Sequence, residues 1–136
     1  MRLRAQRTFM LVVTLAGLLA AACARGPAEE FPSFVYAASS SLEAYRAAAS
    51  VPAEVTTHIP CYCGCATSQA PHRHLRDCFY KPEGGYTDHA AGCDLCGKIM
   101  ADVKTEFEQG KDVKTIRADI DAKYAAYGAP TDTPIE

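Results

Sequence analysis

Three cysteines fall within five residues in the stretch Pro60-Cys61-Tyr62-Cys63-Gly64-Cys65. One residue separates Cys61 from Cys63, and one separates Cys63 from Cys65. This spacing strains a direct disulfide, because the Cα atoms and Cβ vectors do not readily reach bridging geometry. In an extended backbone alternate side chains point the same way, so all three sulfurs can converge on one point. The arrangement suits a thiophilic cation better than a structural staple. The remainder of the chain is read around it.

The amino terminus sets the compartment. Arg2, Arg4 and Arg7 precede an apolar run from Phe9 to Ala22, the charged and hydrophobic regions of a secretory signal. Ala20-Ala21-Ala22-Cys23 closes it in a way that resembles a bacterial lipobox, with Leu19 one place earlier than the usual leucine. The expectation is a signal peptide over 1–22 and lipidation of Cys23. The protein would then be an extracytoplasmic lipoprotein whose first partner is the bilayer. The apolar run is shorter than the ~18 residues of a membrane span. Removing three arginines and no acid takes the formal net charge from −2 to −5. An acidic chain without a basic run argues against nucleic acid as a partner.

Setting Cys23 aside, six cysteines remain: Cys61, Cys63, Cys65, Cys78, Cys93 and Cys96. A domain this small builds only a modest core, so disulfides or a metal would stabilise it. An exported chain meets an oxidising environment, and six cysteines allow 15 pairings, so disulfides compete with metal ligation.

Residues 23–38 mix Gly, Pro, Glu and small residues and read as a tether, with Phe31, Phe34 and Tyr36 available to order part of it. The domain proper is expected over 39–128. Ser39 to Ser41 supply capping chemistry for a helix over 41–50, and Pro52 opens a second short helix over 52–58. Pro60 stops that helix, since the residue before a proline avoids the helical region. Residues 66–92 lack either period and hold several Pro and Gly, so metal ligation or disulfides must order them; a helical turn fits at 72–79. Cys96, Ile99, Met100, Val103 and Phe107 share one face of a helix beginning at Cys93. Gly110 ends that helix, and Asp112 caps a second amphipathic helix over 113–127. The predicted fold is mostly α: short N-terminal helices and a Cys-rich loop region packed on a C-terminal antiparallel helical hairpin. Residues 129–136 read as a disordered tail.

The chemistry lies in the thiols. Cys93-Asp94-Leu95-Cys96 falls at a helix N-terminus, where free amides and the dipole favour thiolates. Thiolates select Cu(I), Zn and similar soft ions, and imidazole is a ligand for the same metals. His89 and His74 each stand four residues before a cysteine and are candidate ligands, with His72 behind them. Met100, on the face of Cys96, is a candidate thioether ligand and also a natural core residue. No Ser-His-Asp arrangement, phosphate-binding glycine loop or HExxH motif is present, so no enzyme is expected. The favoured reading is a membrane-anchored Cu(I) or Zn carrier or scavenger that exchanges metal with a donor or acceptor protein. The alternative is a disulfide-stabilised or thiol-redox partner-binding module.

The hexapeptide Pro60–Cys65 resembles the defining string of the bacterial PCYCGC-motif proteins. The resemblance extends to Ala44-Tyr45-Arg46, Val55…Ile59-Pro60, His74…Asp77-Cys78-Phe79, Asp88-His89-Ala90, Gly92-Cys93…Cys96, and Gly110-Lys111…Ile116-Arg117…Ile120-Asp121…Tyr124. It covers about residues 40–127. It implies an exported lipoprotein of unassigned function in which all six cysteines and His89 form one unit.

Overall fold

Ser41, Ala44, Tyr45 and Ala48 recur at helical spacing, and their burial on one face forms α1, Ser39–Ser50. The computed structural model describes residues 31–64 and 72–135. These belong to one compact unit, Phe31–Glu136. A single turn, α2 (Ala53–Thr56), follows; it is shorter than the helix expected over 52–58. The long helix α3 spans Asp94–Glu108 and α4 spans Val113–Tyr124. Short 3-10 turns occupy Ser33–Ala37, Leu75–Cys78, His89–Gly92 and Ala125–Tyr127. No strand occurs among the described residues; the loop carries one isolated antiparallel bridge, Tyr80 to Tyr86.

The predicted hairpin is present. Gly110 takes φ +77° at the end of α3. Its N–H donates to Phe107 O, and Lys111 N–H donates to Glu106 O, a Schellman closure that satisfies the last carbonyls of α3. Asp112 then caps α4, accepting from Thr115 N–H at 3.0 Å. Asp102 ties the two helices, accepting from Lys123 Nζ at 2.6 Å and Tyr124 Oη at 2.5 Å. Ile99, Met100 and Val103 of α3 and Ile116 and Ile120 of α4 are wholly buried. Each such side chain contributes roughly 1.5–3 kcal/mol.

α1 packs on the opposite flank of α3. Gly97 makes this possible, since a Cβ there would lie 3.3 Å from Ala44 Cβ. Glycine inside a helix costs about 1 kcal/mol relative to alanine. The close approach it allows sets α1 against the first turn of α3, beside Cys96. Beyond the crossing, Tyr45 stands at the centre of an aromatic group with Phe31, Phe34, Phe79 and Tyr86.

That group corrects the expected boundary of the domain. Phe31 and Val35 are buried, so the region from Phe31 onward packs on the fold and is not tether. A second correction concerns the tail. Residues expected to be disordered instead form a strap through Ile135. Thr131 N–H donates to Cys61 O at 3.0 Å, and Cys61 N–H donates to Thr131 Oγ1 at 2.9 Å. Thr133 Oγ1 donates to Arg73 O at 2.6 Å. Arg117 Nη1 donates to both His58 O and Thr133 O, at 3.0 and 2.6 Å. The strap leaves α4 through Gly128, where a Cβ would meet Tyr62 O at 2.8 Å. Backbone pairing and buried threonine hydroxyls hold it, so hydrophobic periodicity does not reveal it.

Two predictions follow from this packing. Thr131→Val removes the acceptor of the buried Cys61 N–H and is expected to destabilise the fold by about 1–3 kcal/mol in urea denaturation, with Thr131→Ser close to wild type. Tyr45 Oη donates to Thr87 O at 2.5 Å, and burial pushes its pKa from 10.0 up to about 12. Between these values the folded chain keeps a proton that the unfolded chain releases, so stability falls as pH rises through the window. Burial also raises Tyr62 and Tyr124, so Tyr45→Phe should lessen this alkaline slope without abolishing it.

Candidate metal centre

The segment after α2 runs extended through Cys61-Tyr62-Cys63 and sends alternate side chains to opposite sides. Tyr62 faces α4, where its hydroxyl donates to Asp121 and its ring lies 6.3 Å from that of Tyr124. Cys61 and Cys63 turn the other way, with their sulfurs 2.9 Å apart. Leu75 N–H donates to Ile59 O at 2.8 Å, which fixes the turn Leu75–Cys78 against this segment. Leu75 and Phe79 are wholly buried on either side of Cys78 and hold its thiol inward. Cys93 is the residue before α3, and Cys96 lies in its first turn.

These elements bring the sulfurs together. Cys96 Sγ lies 3.4 Å from Cys78, 4.0 Å from Cys61 and 4.0 Å from Cys63. Cys78 Sγ lies 3.8 Å from Cys61 Sγ. Two imidazoles close one side: His72 Nδ1 is 3.6 Å from Cys78 Sγ, and the His72 and His89 rings stand edge to face at 4.2 Å. In three groups every ligand atom lies within 4.8 Å of the others: Cys63, His89, Cys93 and Cys96; Cys61, Cys78 and Cys96; and His72, Cys78 and His89. Each group can hold a metal ion. Among the described residues, Cys61, Cys78, Cys93 and Cys96 are outside any disulfide.

Charge is unevenly distributed. Hydrogen bonds from the Cys78 and Cys96 thiols, with a further one from Cys63, hold the Cys61 pKa far below its ordinary value. As partners of the Cys61 thiolate, Cys78 and Cys96 are pushed well up and keep their protons. Cys93 is lowered to about 6, first by the Cys96 thiol and also by the Cys96 backbone N–H at the helix start. Burial, followed by its neighbour His89, lowers His72 and favours the neutral ring that ligates metals. Crowded thiols cannot all ionise unless a cation joins them.

Of the residues singled out from sequence, Cys61, Cys63, Cys78, Cys93, Cys96 and His89 converge. Cys65 and Cys23 lie outside the described residues. His74 turns to Asp77, with Nδ1 3.4 Å from Oδ1, and belongs to none of the three groups. Met100 is wholly buried in the core, one turn along α3 from Cys96. His72 takes the place that spacing favours for His74. Asp77 accepts from Arg73 N–H and lies beside the His74 ring, whose buried Nδ1 makes no hydrogen bond among the described residues. The only sequence signal for His72 is its position six residues before Cys78.

The centre has a floor and a rim. Cys61, Cys78 and Cys96 are buried, whereas Cys63, Cys93, His72 and His89 are partly exposed. Cys93 also lines a surface groove of about 570 Å³ between α1 and α3, with Ala44, Ala47, Ala90 and Gly97.

Fold and site together define a small helical domain built around a thiol–imidazole cluster. Residues 20–136 match the family described as a protein of unknown function with PCYCGC motif, and the chain belongs to that family. No curated protein and no solved structure matches it.

Alkylation of the reduced, metal-free protein tests the geometry. Cys63 and Cys93 should react with iodoacetamide well before Cys61, Cys78 and Cys96, as mapped by mass spectrometry. The thiolate is the reactive form, so the Cys93 rate should climb through about pH 6 and then level, whereas an ordinary thiol climbs near 8.5.

Proposed function

We propose that the protein is a membrane-anchored, extracytoplasmic binder of soft metal ions, a carrier or scavenger of Cu(I) or Zn. One observation carries this reading: five thiols and two imidazoles from four separate segments meet in overlapping groups of ligand size. Thiolate and imidazole are the donors that these ions prefer. The exposed rim of Cys63, Cys93, His72 and His89 suits exchange with a donor or acceptor protein, since ligand replacement starts at donors a partner can reach. The signal-like amino terminus and Cys23 support a site on the outer side of a membrane, tethered by lipid. No helix among the described residues is long and apolar enough to cross a bilayer. The role proposed is binding and transfer, without catalysis.

The 2.9 Å separation of Cys61 and Cys63 favours one second reading, a thiol-redox module in which this pair oxidises. A disulfide spanning one intervening residue is strained and therefore easily reduced.

Elemental analysis and a thiol count on the mature protein, purified anaerobically without added reductant, separate the two. The expected result is bound Cu or Zn in whole-number ratio, with thiols that become titratable only after chelation. Removing the metal should lower the melting temperature, since an ion bound at 100 times its Kd contributes about 2.7 kcal/mol. Cys63→Ser should weaken retention. Metal-free protein with its cysteines in disulfides would overturn the metal reading in favour of the redox one.

A further inference from the structure

Seven donor atoms meet at this centre, the sulfurs of Cys61, Cys63, Cys78, Cys93 and Cys96 and one ring nitrogen each from His72 and His89. A four-coordinate soft ion such as Zn cannot use them all. Their grouping shows how they divide. The set Cys63, His89, Cys93 and Cys96 and the set Cys61, Cys78 and Cys96 share one atom, Cys96 Sγ. The third set takes Cys78 from one and His89 from the other, so it fills only at their expense.

We propose that the centre holds two soft metal ions joined by the Cys96 thiolate as a bridge. The inference rests on the metal-binding reading above and adds to it the number of ions and the residue that links them. With metal–sulfur bonds of about 2.3 Å, sulfurs sharing one ion stand about 3.8 Å apart in a tetrahedral site and about 4.0 Å apart in a trigonal one. The Cys61–Cys78, Cys61–Cys96 and Cys78–Cys96 separations are 3.8, 4.0 and 3.4 Å, close to those edges. The Cys96–Cys63 separation of 4.0 Å meets the same test for the other ion. Cys61 and Cys63 fall in different sets. The two thiols of the CxC pair therefore serve different ions. Cys96 is wholly buried between them, where a bridging thiolate is shielded from water and exchanges last. Assembly is a substitution without electron transfer: each thiol loses its proton to solvent as its metal–sulfur bond forms.

The test is titration of the reduced, metal-free protein with Cu(I), followed by native mass spectrometry, and a parallel titration with ¹¹³Cd(II) followed by NMR. Two ions per chain are expected, with two ¹¹³Cd resonances that split each other through the shared sulfur. Cys61→Ser should reduce the count to one and remove the splitting, whereas Cys93→Ser should keep two ions and shift one ¹¹³Cd resonance through the loss of a sulfur ligand. Cys96→Ser should remove the splitting and lower the count, with circular dichroism reporting whether the helices persist. The wild-type splitting decides the matter even if that variant unfolds. Saturation at one ion overturns the bridge while leaving the metal-binding reading intact. Two resonances without mutual splitting also overturn the bridge. Failure to bind either ion overturns both.

Discussion

The close packing of α1 on the first turn of α3 is the contact on which the rest of the structure depends. At the start of α3, Cys96 has no exposed surface, and its sulfur lies among those of Cys61, Cys63 and Cys78. At the next residue, Gly97 lets Ala44 approach the same turn closely. From the other side, the extended Cys61–Cys63 segment and the turn ending at Cys78 bring their sulfurs to the same point. The sulfur cluster is thus assembled from the start of α3 and these two segments.

Gathering thiols in this way sets an electrostatic constraint. In a low-dielectric site a second and third thiolate are strongly opposed. Protons are therefore shared unequally, with Cys61 and Cys93 inclined to charge and Cys78 and Cys96 inclined to keep their hydrogens. Apolar side chains of similar volume would fill the same space without that conflict, as Ile99 and Ile120 do nearby. A cation resolves the conflict by turning mutual repulsion into shared ligation. The tyrosines serve a different end: Tyr45, Tyr62 and Tyr124 bury their rings and send each hydroxyl to a carbonyl or carboxylate, so they order the walls.

The parts of this molecule legible in the sequence are those governed by a period or a local cap. The spacing of Cys96, Ile99, Met100 and Val103 locates α3, and Gly110 with Asp112 locates the turn of the hairpin. Alternation alone places Cys61 and Cys63 on one side of Tyr62. What spacing could not show depends on contacts between distant segments. Thr131 and Thr133 are ordinary polar residues in a proline-containing tail until their hydroxyls meet Cys61 N–H and Arg73 O, some 60 to 70 residues away. Phe31 reads as part of a tether because its burial depends on Tyr45 and Tyr86. His74 looks better placed than His72 by distance along the chain, yet His72 is the ring beside Cys78 and His89, while His74 lies against Asp77.

The strap gives the Cys61 segment a rigidity that its own sequence lacks. Two hydrogen bonds with Thr131, one to its backbone N–H and one to its hydroxyl, hold Cys61, while Tyr62 is fixed through Asp121, itself gripped by Arg117 Nε at 2.8 Å. The same arginine binds His58 O and Thr133 O, so one guanidinium couples α4, the approach to the cysteines and the strap. Rigid placement matters most for buried donors, whose geometry an incoming ion cannot easily correct. The rim needs less of it: Cys63 precedes Gly64 at φ +77°, and His89 and Cys93 flank a short 3-10 turn. A centre with a fixed sulfur floor and partly exposed outer donors differs from a closed structural zinc site, which encloses its ion for the sake of the fold. The proposed carrier role calls for this division, with an ion held from below and ligands above that a partner replaces.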